Sequence, residues 1–158
     1  MVKLPLIMEA TDAASLNRSN TILLAEDDED DILLIRGALK EAQVPYNLRV
    51  VEDGAQAIQY LKGEGPFSDR AQSPLPFLLL LDLRMPVKPG FEVLKWIRSQ
   101  PSLDRLLVVI LSTSALPVDI QKCNQLGTNC YLVKSSNYKQ LVRFLKSFIP
   151  RHAKVTVS

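Results

Sequence analysis

Histidine is nearly absent: His152 is the only one in 158 residues, and it lies close to the end of the chain. A histidine-based metal site or a Ser-His-Asp triad cannot be assembled from this chain alone. Cysteine is almost as scarce, and Cys123 and Cys130 have neither CxxC spacing nor a nearby histidine, so they read as reduced core thiols. Neither sign of charge prevails, with 19 Lys and Arg against 17 Asp and Glu. No basic field is available for a polyanion, and no nucleic-acid partner is expected. No apolar stretch is long enough to cross a bilayer, so no membrane partner is expected. The opening segment Met1 to Met8 is broken by Pro5 and followed by Glu9 and Asp12, the wrong flanks for a signal peptide. The cytoplasm is the expected location.

What the chain does have is a core: 47% hydrophobic residues over 158 positions suits one ordinary domain. From Thr21 onward, strand-like and helix-like segments alternate, the signal for a parallel sheet covered by helices. Five βα units are predicted, with strands at Thr21 to Ala25, Leu48 to Val51, Phe77 to Leu81, Leu107 to Ser112 and Cys130 to Val133. The third and fourth are continuous aliphatic runs, as strands buried on both faces should be, and with the first they form the centre. Helices are predicted at about Asp30 to Ala42, Ala55 to Lys62, Phe91 to Ser99, Val118 to Leu126 and Tyr138 to Ile149, with Asn137 as a cap and Pro150 as a stop for the last. Residues 1–20 read as a flexible arm, 21–150 as the domain and 151–158 as a tail. Gly63 to Pro76 reads as a long loop without chemistry of its own.

In an open parallel sheet, functional groups gather beyond the carboxyl ends of the strands. Here the first strand ends in Glu26, Asp27 and Asp28, the third in Asp82, the fourth in Ser112 and Thr113, and the fifth in Lys134. Acids crowded this closely repel one another, and a hard divalent cation taking oxygen ligands, Mg²⁺, relieves them. With that charge offset, Asp82 can attack a phosphorus atom, and Lys134 and the Ser112 hydroxyl can meet the phosphoryl oxygens. Asp30 and Asp31 read as solvated charges favouring the start of the first helix. The same acids exclude a nucleotide cradle, which needs glycines and bare amides after the first strand. A dehalogenase-type phosphatase also uses a strand-end Asp with Mg²⁺, but it wants a second acid two residues on, where this chain has Arg84.

These residues, in this order, resemble the response-regulator receiver family, over about Thr21 to Ile149. Glu26-Asp27 is similar to its paired acids, Asp82 to its phosphoacceptor, Ser112 to its switch hydroxyl, Tyr131 to its switch aromatic and Lys134 to its lysine. The resemblance implies a doubly wound α/β (βα)5 sheet of the flavodoxin-like, CheY-like kind, in the order 2-1-3-4-5. It implies Mg²⁺ held by Asp27, Asp82 and the Arg84 backbone carbonyl, with Glu26 acting through water, and a phosphoryl group supplied by a sensor histidine kinase. On phosphorylation the Ser112 loop is expected to move toward Asp82 and the Tyr131 ring to turn inward. Met85-Pro86 and Gly90 match the family's turn after the acceptor. The family usually has Pro after the lysine; here Ser135 stands there. The Leu-Ser-Thr-Ser run, the Asn-Cys-Tyr before Lys134 and the Lys-Ser-Ser-Asn segment resemble the small single-domain receivers that partner bacterial and cyanobacterial phytochromes.

On the last helix, Leu141, Val142, Phe144, Leu145, Phe148 and Ile149 cover a wider arc than one core-facing stripe requires. A homodimer through the fourth helix, fifth strand and fifth helix is therefore expected, the competing explanation being a tail folded back over that arc. The functional alternative is a dimeric adaptor with this fold that signals without phosphate.

Overall fold

The structure is a computed structural model, and it describes residues 20–43, 45–134 and 138–152. In chain order the elements are β1 Thr21–Ala25, α1 Glu29–Glu41, β2 Asn47–Val51, α2 Gly54–Lys62, β3 Leu78–Asp82, α3 Gly90–Arg98, β4 Leu107–Ser112, α4 Pro117–Gln125, β5 Cys130–Val133 and α5 Tyr138–His152. The five strands are all parallel, in the order β2-β1-β3-β4-β5.

Alternation along each strand divides the core in two. Leu23, Ala25, Leu79, Leu81, Val108 and Ile110 face one side with α2 and α3 residues such as Ala57, Tyr60, Val93 and Ile97. Ile22, Leu24, Leu78, Leu80, Val109 and Leu111 face the other, with Ile35, Ala38 and Leu39 of α1 and Val142, Leu145 and Ile149 of α5. Every residue of β1 and β3 is buried. Their aliphatic runs are what a strand covered on both faces requires. The chain leaves β1 for β2 on one side and returns to β3 on the other, so the carboxyl ends of β1 and β3 meet where the order reverses, the natural place for a site.

Local chemistry sets the element ends. Asp28 caps α1 by accepting from the Asp31 amide at 3.0 Å, and Asp53 caps α2 by accepting from the Gln56 amide at 2.7 Å. Gly63 ends α2 at φ 71°, a left-handed conformation that favours glycine. The loop after it is built rather than loose: Arg70 donates to the carbonyls of Tyr60, Leu61 and Ser73, and the Tyr60 hydroxyl donates to the Pro74 carbonyl.

One predicted stop is corrected. The last helix does not end before Pro150 but runs to His152. A proline forfeits one backbone donor yet keeps a helical φ, so a final turn can contain it. The Asn137 cap, the backbone at Ser135, residues 1–19 and residues 153–158 lie outside the described residues. The wide apolar arc of α5 also has a physical reason. Besides its buried stripe, Leu141, Phe144 and Phe148 are partly buried against the same cluster, where α5 packs on α1 as well as on the sheet. Among the described residues, the exposed large apolar side chains are Leu33 and Leu34 on α1, Val87, and Leu116 and Val118 at the start of α4.

Gly90 allows the turn that follows β3. Its amide donates to the Leu83 carbonyl at 2.9 Å, and a Cβ there would stand 2.3 Å from the Asp82 carbonyl oxygen. Gly90→Ala is therefore expected to destabilise the fold by about 2 kcal/mol in urea denaturation. An ordinary helical glycine replaced by alanine gives the opposite sign, so a gain in stability would contradict this packing.

Candidate functional site

The residues singled out at four strand ends converge. Glu26, directly after β1, is 1% exposed, and its amide donates to the Val51 carbonyl of β2. Its Oε2 accepts from the amides of Asp27 and Asp28 at 3.1 and 3.2 Å, while Oε1 accepts from the Lys134 ammonium. Asp82 closes β3 as its last residue, at 6% exposure, with Oδ1 accepting from the Arg84 amide at 3.3 Å. Asp27 stands exposed at the mouth. One carboxylate oxygen from each of Glu26, Asp27 and Asp82 lies within 4.8 Å of the others.

Lys134 is placed at the end of β5 by its amide, which donates to the Ser112 carbonyl at 2.6 Å. Its Nζ meets Glu26, lies 2.8 Å from Asp31 Oδ2 and is 3.5 Å from Asp82 Oδ2. The solvated role expected for Asp31 is thus corrected: from the first turn of α1 its carboxylate reaches the lysine and belongs to the site. Burial alone would lower the Lys134 pKa, but its bonds to Asp31 and Glu26 and the charge on Asp82 outweigh that and raise it. The ammonium keeps its proton across the ordinary pH range. For Glu26, burial raises the carboxyl and the charge on Asp82 adds to it, while the Lys134 bond pulls down; the balance lies at about 7.

Ser112, 1% exposed at the end of β4, accepts on Oγ from the Ser114 amide at 3.1 Å. The Tyr131 ring packs against the core, and its hydroxyl donates to the Ser114 carbonyl at 2.8 Å. The half-buried ring is tied through its hydroxyl to the loop that follows Ser112. Asp27, Arg84, Met85, Pro86, Ser112 and Asp119 are among the residues lining an open cleft over these groups. Directly after Pro86, Val87 is held at φ 68°, a region that β-branched side chains avoid. Besides Asp31, the sequence reading missed Ser114 and Asp119; the only available signal was an acid in the first turn after Pro117.

The site combines a buried carboxylate, a fixed ammonium and a hydroxyl with three further acids, Glu26, Asp27 and Asp31. A carboxylate can act as a nucleophile toward phosphorus, and the ammonium and hydroxyl can meet the oxygens that carry the transferred charge. The cluster also suits a hard cation. Its donors are all oxygen, and exposed Asp27 leaves room for water to complete the coordination.

A doubly wound parallel sheet in the order 2-1-3-4-5, with acids, a hydroxyl and a lysine at its strand ends, is the arrangement that the sequence led one to expect of a receiver. The chain belongs to the response regulator receiver domain family, whose model matches residues 22–146. It is 38% identical over 130 residues to the response regulator Rcp1 of Synechocystis sp., covering 82% of this chain and 86% of that one. The phosphorylated cyanobacterial phytochrome response regulator RcpA superposes with a TM-score of 0.75 at 41% identity, over 84% of this chain and 93% of that one. The Mn²⁺-bound form of Rcp1 gives 0.73 at 37% identity, over 83% and 92% of the two chains. The expected fold, strand order and family are therefore correct, and the protein is a two-component receiver related to the phytochrome response regulators.

Proposed function

We propose that this receiver, spanning residues 21–150, works as a single-domain response regulator that accepts a phosphoryl group on Asp82 from a sensor histidine kinase, of the phytochrome type, in the cytoplasm. The observation that carries the reading is Asp82 itself: a buried carboxylate 3.5 Å from the Lys134 ammonium and within 4.8 Å of two other acids. An oxygen of Asp82 forms the new bond to phosphorus as the donor's bond to phosphorus breaks, and the pair of electrons in the broken bond leaves with the donor. Lys134 and the Ser112 hydroxyl bind the phosphoryl oxygens, Lys134 as a compact point charge. Asp27, Asp82 and the Arg84 carbonyl would hold Mg²⁺. Glu26 would act through water, in keeping with both of its oxygens being taken by protein donors. The ion supplies the charge neutralisation that lets a phosphoryl dianion approach a carboxylate. The protein is a switch rather than a turnover enzyme, catalysing its own phosphoryl transfer and later hydrolysis. Intact-mass measurement with a small acyl phosphate tests the reading: one added phosphoryl group that requires Mg²⁺ supports it, and none overturns it.

Output is proposed to run through protein contacts, with Tyr131 and the Ser112 loop reporting the state to a homodimer face on α4, β5 and α5. Leu116 and Val118, 58% and 65% exposed at the start of α4, support this face. Size exclusion with light scattering is expected to give a dimer that Leu116→Asp with Val118→Asp converts to monomer. A wild type that stays monomeric with and without phosphoryl donor defeats it.

A further inference from the structure

We propose that Asp119 is a positioning residue for the Ser112 hydroxyl, acting through Ser114; the proposal rests on the phosphoryl-transfer reading of the cleft. Between β4 and α4 the chain must turn from a strand end to a helix that starts with Pro117, and the residue before it, Leu116, has no side-chain oxygen to cap the helix. Ser114, 8% exposed, takes over the turn. Its hydroxyl donates to Asp119 Oδ2 at 2.5 Å and accepts from the Leu116 amide at 3.2 Å. Its carbonyl accepts from the Tyr131 hydroxyl at 2.8 Å, and its amide donates to Ser112 Oγ at 3.1 Å. Every polar group of Ser114 is thereby engaged, and the contact to a carboxylate is of the strong, charge-assisted kind.

The consequence falls on Ser112. Its oxygen is held by a donor that cannot move unless Ser114 moves, which leaves the hydroxyl proton as the group free to bond a phosphoryl oxygen. Fixing a donor before the charge arrives is how a site avoids reorganising during transfer. Asp119 anchors this arrangement from the first turn of α4, where the helix dipole favours its charge. Asp119 also joins Ser112, Tyr131 and α4 into one hydrogen-bonded unit, so loop and helix are expected to shift together.

Initial rates of phosphoryl uptake from a small acyl phosphate with Mg²⁺, read by intact mass, test this beside melting temperatures. Asp119→Ala and Ser114→Ala are each expected to slow uptake about fivefold, the worth of one hydrogen bond. Asp119→Asn and Ser114→Thr keep an acceptor and a hydroxyl and are expected to recover most of that rate. Asn and Ala at 119 remove the same charge from the helix start, so both should lower the melting temperature, Ala the more because it also loses the bond to Ser114, whereas only Ala should slow uptake markedly. The double alanine variant is expected to be no slower than Ser114→Ala. Asn as slow as Ala, effects that multiply in the double variant, or unchanged rates all overturn the role of Asp119. A wild type that takes up no phosphoryl group overturns the reading of the cleft instead, and this proposal with it.

Discussion

Asp82→Asn is expected to take up no phosphoryl group from any donor and yet to be at least as stable as the wild type. The amide keeps the side chain's shape but offers no nucleophilic oxygen anion. It also removes one negative charge from three acids whose oxygens lie within 4.8 Å. The lost attraction to Lys134 is small by comparison, since Asp82 is the most distant of its three partners at 3.5 Å and the lysine keeps Glu26 and Asp31. The net change in the absence of divalent ions is a gain of about 1 kcal/mol in urea denaturation. Added Mg²⁺ should stabilise the wild type and have much less effect on the variant, because a ligand has gone. A variant less stable than wild type would mean that the Asp82 to Lys134 attraction outweighs the repulsion among the acids.

Lys134→Met should have the opposite signature. Methionine preserves the apolar stem but leaves Glu26, Asp31 and Asp82 without their cation. Breaking a buried pair costs about 3–5 kcal/mol, and here about 2–3 kcal/mol is expected because the lysine is 14% and Asp31 33% exposed. Uptake should fall about a hundredfold, as when a fixed donor to a developing charge is removed. The loss should also depend on pH. Burial already lifts the Glu26 pKa from 4.5 to about 7, and the Lys134 bond is what restrains it, so removing the lysine raises it further. The folded variant then binds a proton that the unfolded chain releases, and its stability falls as pH rises through that range. The deficit against wild type is expected to be greatest near pH 8 and smallest near pH 5 in parallel urea titrations. A deficit independent of pH would show that the lysine acts through packing alone.

These two variants draw on features of unequal visibility in the sequence. β1, β4 and β5 are legible to the residue because each is a short aliphatic run bounded by polar residues or turns. Asp82 is legible because it ends such a run, although it closes the strand instead of following it. The paired acids, Ser112 and Lys134 are legible as a set, since strand ends of a parallel sheet converge on one edge. Asp31 is not, because an acid in a first helical turn usually serves the helix, and only the three-dimensional path of β5 brings Lys134 to it. Ser114 and Asp119 are hidden for a similar reason, their bond depending on how the loop before Pro117 bends. The final turn through His152 is obscured by Pro150, whose ordinary effect is to stop a helix. The arc of α5 suggests a partner in sequence, and α1 proves to cover part of it.

The central claim is that Asp82 receives the phosphoryl group, and locating the label tests it most directly. Protein treated with a small acyl phosphate and Mg²⁺ is reduced with borohydride, which converts a phosphorylated aspartate to homoserine, and digested for peptide mass mapping. Conversion at Asp82, absent without Mg²⁺ and with no other aspartate altered, is the predicted result. Conversion at another residue, or none in a folded sample, would contradict it and favour an adaptor that signals without phosphate.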